Sequence, residues 1–322
     1  MTVQPPATAV DTFRLVTRSD FDGLVCAVLL RMIGLVDEIA FVHPKDVQDG
    51  VVEIGERDVL TNLPYDGRAH LVFDHHHSEA LRAAGPGGGV PGNHVIDPEA
   101  PSAARVVFDH YGGAAAFPKI SQELMLAVDQ ADSAQYDIHE VLEPTGWTLL
   151  NFLMDSRTGL GRFRDFRISN YQLMMQLIES CAEHQDVDEI LSTPDVAERV
   201  ALYREQAELF SDQLERVTTV HGDVVVVDLR EEDVIHAGNR FFVYALHPQA
   251  RVSVHVLWGK GKQNTVFAVG KSIVDRTSPV DVGAACLRRG GGGHLAAGTC
   301  QVPHEVAQAT LAELVAELRT ER

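Results

Sequence analysis

Basic residues are scarce in this chain. It carries 27 Lys and Arg against 46 Asp and Glu in 322 residues, a formal net charge of −19. That balance disfavours a protein that tracks long duplex DNA, where affinity comes from neutralising phosphates. Cysteine is sparse too. Cys26, Cys181, Cys286 and Cys300 are the four, none at the C-x-x-C spacing of a zinc site, and they read as reduced thiols. No apolar run approaches the roughly 20 residues a membrane helix needs, so no membrane partner is expected. The opening MTVQPPATAV lacks a basic region followed by a long apolar segment. It reads as a frayed tail, not a secretory signal, and the expected location is cytoplasmic.

What is present is ample apolar content, 45% of residues, enough for about two domains. Charge is uneven. Residues 251–300 hold seven Lys and Arg and two acids, a net of +5, which leaves −24 on the remainder. One basic island on an acidic protein suits a small or flexible phosphate-rich ligand.

Up to about residue 132, short β-rich runs alternate with helical ones. TFRLVT (12–17), IAFVH (39–43), VLTN (59–62), HLVFD (70–74) and HVID (94–97) read as strands. LVCAVLLRMIG (24–34), PSAARVVFDHYGG (101–113) and SQELMLAVDQAD (121–132) read as helices. The alternation predicts an α/β domain with a largely parallel sheet, whose ligand site lies at the carboxyl ends of the strands. Asp20, Asn62, Asp74 and Asp97 fall at or just beyond such ends. The stretch from about 160 to 217 is helical, and its last part looks like a connector. DVVVVDL, RFFVYAL, ARVSVHVLW and NTVFAVGKSIV then read as a β-rich block, followed by a glycine loop and a final helix, a second and smaller α/β domain. The expected boundaries are 11–190, a connector at 195–217, and 219–322. GPGGGVPGN (85–93) reads as a flexible surface loop.

Three clusters could carry chemistry. Asp20-x-Asp22-Gly23 is a carboxylate pair whose alternate spacing would leave a strand on one side, with the glycine letting the chain turn into the helix. Such pairs hold hard divalent cations such as Mg2+ or Mn2+. FDHHHSE (73–79) puts Asp74, His75, His76 and His77 at a strand end. One or two of these histidines can ligate a metal while Asp74 fixes a ring tautomer. LRRGGGGHLAAGTC (287–300) sets four glycines before His294. Their amides could cradle phosphate where a following helix would start.

In this order the clusters resemble the DHH phosphoesterase family with its associated C-terminal domain, in its exopolyphosphatase-related and oligoribonuclease-like branch. SDFDG is similar to the first motif, FDHHH to the defining one, AVDQADS (127–133) to the fourth, and RRGGGGHLAAG to the glycine motif. DPEAPSAARVVF (97–108) also resembles a segment common in the family. The resemblance implies two domains facing across a cleft, one or two Mn2+ ions (Mg2+ the alternative), and hydrolysis of a phosphoester or phosphoanhydride by metal-activated water. It implies Asp20, Asp22, His75 and Asp132 as metal ligands, with Asp129 the weaker candidate, and Asp74 and His76 as supporting and phosphate-contacting groups. It implies Gly291, Gly292, Gly293 and His294 as a substrate clamp, with Arg276, Arg288 and Arg289 holding the distal part of the substrate. It is compatible with a homodimer.

Two positions depart from the family pattern. Arg18 stands where a metal-binding histidine is usual, and DVLTNLPYD puts Asn62 where a bridging aspartate is usual, unless Asp58 or Asp66 supplies the bridge. One ion site would lose two strong ligands, with Arg18 standing in for the missing ion. The expected protein is a metal-dependent phosphoesterase acting on a small phosphorylated substrate: a short single-stranded oligonucleotide, a nucleotide phosphate or polyphosphate. The alternative is a nucleotide or polyphosphate sensor with a degenerate metal site.

Overall fold

The computed structural model describes residues 12–76, 79, 89–163, 165–184 and 186–319. The expected N-terminal tail, His77 and residues 85–88 of the glycine-rich loop lie outside the described residues.

Two units are seen. The first contains β1 (Phe13–Arg18), α1 (Phe21–Met32), β2 (Val36–Val42), α2 (Pro44–Gln48), β3 (Asp58–Thr61), β4 (Leu71–Asp74), β5 (His94–Ile96), α3 (Ala103–His110) and α4 (Gln122–Asp132). Its five strands are all parallel, in the order β2-β1-β3-β4-β5. Parallel strands need covering on both faces, and the sequence supplies this. Leu15, Val16 and Thr17 of β1 and all four residues of β3 are buried. Helix α1 is buried from Phe21 to Leu30. Each Leu or Val side chain removed from water there contributes about 1.5–3 kcal/mol.

After α5 (Ile138–Leu142) come α6 (Gly146–Met154), α7 (Asn170–Glu183), α8 (Val187–Leu191) and α9 (Pro194–Val217). The division between the units falls within α9, at Arg199 and Val200, and residues 136–144 and 157–163 belong to the second unit.

The second unit holds β6 (Thr218–His221), β7 (Val224–Asp228), α10 (Phe242–Leu246), β8 (Val252–Trp258), β9 (Thr265–Lys271), α11 (Val282–Leu287), β10 (Gly292–Gly293), β11 (Ala297–Val302) and α12 (His304–Leu318). Its mixed sheet runs β10-β11-β9-β8-β7-β6. Val224, Val226, Val252, Val254, Phe267 and Leu314 belong to its core. The expected strand in RFFVYAL is instead the short helix α10. A brief apolar run fits either state. Here Asn239, which accepts the Phe241 amide at 3.0 Å, starts a turn that buries Phe241, Val243 and Tyr244.

Half-buried His255 on β8 gives the second unit a pH-dependent term. Its Nε2 is shut off from water with no hydrogen-bond partner among the described residues. Burial, assisted by the charge of Arg240, pushes its pKa down to about 4. The unfolded chain therefore takes up a proton near pH 6.5 that the folded chain refuses until about 4. Stability is present above 6.5 and lost as pH falls through that window, by roughly 2 kcal/mol. Denaturant midpoints between pH 7 and 4.5 should fall more steeply for the unaltered protein than for His255→Gln. Parallel curves would contradict the assignment.

Candidate active site

The order β2-β1-β3-β4-β5 places its topological switch point between β1 and β3, where the crevice of an open parallel sheet lies. Chemistry-bearing residues follow those strands directly. Arg18, Asp20 and Asp22 come from the end of β1 and the start of α1, Asn62 follows β3, and Asp74, His75 and His76 close β4. Asp132 ends α4.

Of these, Asp22, His75 and Asp132 converge, with one ligand atom from each lying within 4.8 Å of the others. Asp22 is buried in the first turn of α1. It accepts the backbone amides of Ala103 at 3.1 Å and Ala104 at 2.8 Å, the first turn of α3. That helix end favours a negative charge. Burial, with Asp132 and Asp20 nearby, nevertheless pushes the Asp22 carboxyl up to about 7. His75 Nδ1 lies 3.2 Å from the Ala100 carbonyl. A carbonyl only accepts, so Nδ1 carries a proton and neutral His75 keeps its lone pair on Nε2. That Nε2 is 3.0 Å from Asp132 Oδ2. Burial presses the His75 pKa down, but the hydrogen bond and charge of Asp132, aided by Asp22 and Asp74, raise it to about 9. Desolvation works against ionisation of Asp132, and the His75 hydrogen bond and charge prevail to hold it low. Two carboxylates and an imidazole competing for protons at one point form a donor set that a divalent cation satisfies by displacing them.

Asp74 is fully buried. Its Oδ1 accepts the amides of His75 at 2.8 Å and His76 at 3.2 Å, and His76 Nδ1 at 2.6 Å. Asp74 therefore orients His76, whereas His75 is held by the Ala100 carbonyl. Asp74 Oδ2 and the Asn62 amide oxygen Oδ1 are buried without a hydrogen-bond partner among the described residues. Orphaned buried acceptors are rare in folded proteins; Asp74 directly precedes His75 in the chain, and the Asn62 side chain lies against Asp20.

Asp20, expected as a ligand beside Asp22, is not in the converging group. β1 ends at Arg18, so the pair does not leave a strand. Asp20 is the N-cap of α1, accepting the Gly23 amide at 3.0 Å, and Asp22 lies inside the helix. Asp20 Oδ2 pairs with Arg18 Nε at 3.0 Å, and the Asn62 side-chain amide lies 3.3 Å and 3.4 Å from its two oxygens. Nor does Gly23 serve a turn. A Cβ there would lie 2.0 Å from the Arg18 carbonyl oxygen, so the glycine permits α1 to press against the end of β1. The alternative bridges are engaged elsewhere: Asp58 with Arg14 at 2.7 Å, Asp66 with Arg68 at 2.6 Å. Asp129 pairs with Arg105 at 2.5 Å and accepts from Ser102 Oγ at 2.8 Å.

In the second unit the glycine run takes a different form from the one expected. No helix follows it. Gly292–Gly293 pairs with β11 as the edge strand β10. Gly291 and Gly293 are required because a Cβ would meet the backbone of β11, 2.1 Å from the Thr299 oxygen and 2.2 Å from the Ala297 oxygen. Gly292 has open space around the corresponding point, and His294 is exposed. Arg288 and Arg289 both pair with Glu317 of α12, and Arg276 Nε donates to the Ile273 carbonyl at 3.2 Å.

Sequence reasoning passed over the amides of Ala103 and Ala104 and the carbonyl of Ala100. Ser102, which N-caps α3 by accepting the Arg105 amide at 3.0 Å, was the readable signal of a helix start there.

A parallel sheet with this donor set at its switch point, joined to a mixed-sheet second unit, is an arrangement able to hold a divalent cation at the strand ends. No family model and no curated protein matches the chain. Among solved structures it is similar to the pGpG-specific phosphodiesterase PggH from Vibrio cholerae, with 57% identity over 95% of this chain and 99% of that one, TM-score 0.78. It is also similar in fold to exonuclease RecJ bound to manganese (16% identity, 94% and 89% covered, TM-score 0.50) and to CDC45 from Entamoeba histolytica (9% identity, 96% and 95% covered, TM-score 0.52). The chain belongs to the DHH phosphoesterase family. It is a phosphoesterase of small phosphorylated substrates. Among the described residues no helix is long and apolar enough to cross a membrane.

Proposed function

We propose that this protein is a cytoplasmic hydrolase of linear dinucleotides of the pGpG type, dependent on Mn2+. The observation that carries the reading is the 57% identity, end to end, with a pGpG-specific phosphodiesterase. The converging donors of Asp22, His75 and Asp132 support it. Residues 11–190 supply the reaction centre and residues 219–322 the substrate clamp.

Asp22, His75 and Asp132 would hold a divalent ion. A divalent cation supplies polarisation of a phosphoryl oxygen and acidification of water. The protein's own part is positional. The amides of Ala103 and Ala104 fix the Asp22 carboxylate. The Ala100 carbonyl fixes the His75 tautomer, which leaves the Nε2 lone pair, beside Asp132, as the atom that would bind an ion. Asp74 accepts the Nδ1 proton of His76 and so fixes that ring's tautomer and orientation, which suits His76 to contact a phosphate oxygen.

The test is turnover with Mn2+ of a panel: pGpG, a longer oligonucleotide, a cyclic dinucleotide, a bisphosphate nucleotide, pyrophosphate and polyphosphate. Cleavage of pGpG ahead of the others, abolished by EDTA, is the expected result. Mn2+ at 100 times its Kd should also raise the unfolding free energy by about 2.7 kcal/mol. Preference for polyphosphate or pyrophosphate would overturn the substrate assignment. Stabilisation by pGpG without any turnover would favour a sensor.

A further inference from the structure

Where the family resemblance leads one to look for a second ion, the chain presents a cation of its own. Arg18 Nε lies 3.0 Å from Asp20 Oδ2, the Gly23 amide donates to Oδ1, and the Asn62 amide lies near both oxygens. Asp20 is thus already engaged on each oxygen. The carboxylates that could have bridged to a second ion, Asp58 and Asp66, are paired with Arg14 and Arg68. Asn62 sits in the left-handed region at φ 55° and brings only an uncharged amide oxygen in the bridging position. Around Asp20 the donors left over are one half-neutralised carboxylate and one amide, beside a guanidinium. Hard dications are held by several oxygen ligands, mainly anionic. A like charge a few ångströms away opposes them directly. A second divalent ion does not fit this set.

We infer that the protein binds a single divalent ion, at Asp22, His75 and Asp132, and that the Arg18 guanidinium replaces the second ion as a permanent charge for the substrate's phosphate. The inference deepens the proposed function and takes from it only that the ligand carries a phosphate. Arg18 is 38% exposed at the side chain, and Asp20 anchors it from one edge. A guanidinium is planar, stays charged at any working pH and can take two phosphate oxygens at once. It cannot acidify a water, so Arg18 is a phosphate-binding group.

Metal content tests the first half without reference to activity. After saturation with Mn2+ and gel filtration, mass spectrometry should give one ion per chain, and electron paramagnetic resonance an isolated Mn2+ spectrum with no exchange coupling. The double variant Arg18→His/Asn62→Asp should take up a second ion and show exchange coupling. Two tightly held ions in the unaltered protein would overturn the inference. Inorganic phosphate tests the second half. Its Kd for the Mn2+-loaded protein, by calorimetry, should rise about tenfold in Arg18→Gln with the ion count still at one. An unchanged Kd would overturn the role of Arg18. One ion per chain in a protein that never cleaves pGpG would sink the substrate assignment and leave the single-ion inference standing.

Discussion

With Asp132 replaced by asparagine, hydrolysis at saturating Mn2+ should fall on the order of 100- to 1,000-fold in kcat, the scale on which removing one electrostatic stabiliser acts. Asparagine keeps the shape and one oxygen but removes the charge that balances the ion. The variant suits the purpose because Asp132 lies at the rim, its side chain 26% exposed, at the C-terminal end of α4. Its loss breaks one ion pair, with His75, and a partly exposed pair is worth about 1 kcal/mol or less. Thermal unfolding of the metal-free variant should therefore stay close to that of the parent, while its gain in stability on adding Mn2+ shrinks. A second readout is independent of turnover. The hydrogen bond and charge of Asp132 hold His75 at about 9 against the effect of burial, so the metal-free variant should titrate His75 lower by NMR. Retention of full activity would exclude Asp132 from the site. Asp22 is a poorer choice for the same test. Truncating it would also leave the Ala103 and Ala104 amides without their acceptor.

Gly23→Ala should be the most damaging single-methyl change in the first unit. The added Cβ would lie 2.0 Å from the Arg18 carbonyl oxygen, 2.8 Å from Thr17 Oγ1 and 3.1 Å from the Arg18 carbonyl carbon. Two of these are backbone atoms of a central parallel strand, which cannot swing aside as a long side chain would. Overpacking typically costs 1–3 kcal/mol. With no relaxation available the cost here should reach about 3 kcal/mol or more, read as a lower denaturant midpoint. Gly55→Ala is the matched control, because a Cβ there meets nothing within 4 Å. It should be neutral or stabilise slightly through the unfolded chain. Equal midpoints for the two variants would show that α1 can back away from β1. The change should reach the site as well, because Asp20 and Asp22 closely precede the glycine and any shift of the first turn of α1 moves both carboxylates.

The alternation of short apolar runs with helical ones was enough to read a parallel sheet with its ligand site at the strand ends. Buried parallel strands must be apolar on both faces, and that demand is written locally. FDHHH, following an apolar run, was legible for the same reason: a strand end is a local event. RFFVYAL was not, because six apolar residues satisfy a strand or a short helix, and Asn239 with the packing around Phe241 and Tyr244 chose the helix. The glycine run reads in sequence as a phosphate cradle, and its tight contact with a neighbouring strand was not legible. What approaches it, the backbone of β11, is fixed only by strand pairing.

By itself the sequence determined which residue types could meet a cation and a phosphate, and in what order the motifs follow one another. Only the tertiary structure decided which of them meet. Asp20 and Asp22 are two residues apart, yet one caps a helix and pairs with Arg18 while the other turns inward to His75 and Asp132. The reason is physical: ligand geometry is set by distances between side chains more than fifty residues apart in sequence. Those distances depend on where α3 and α4 pack against α1, which no local pattern encodes.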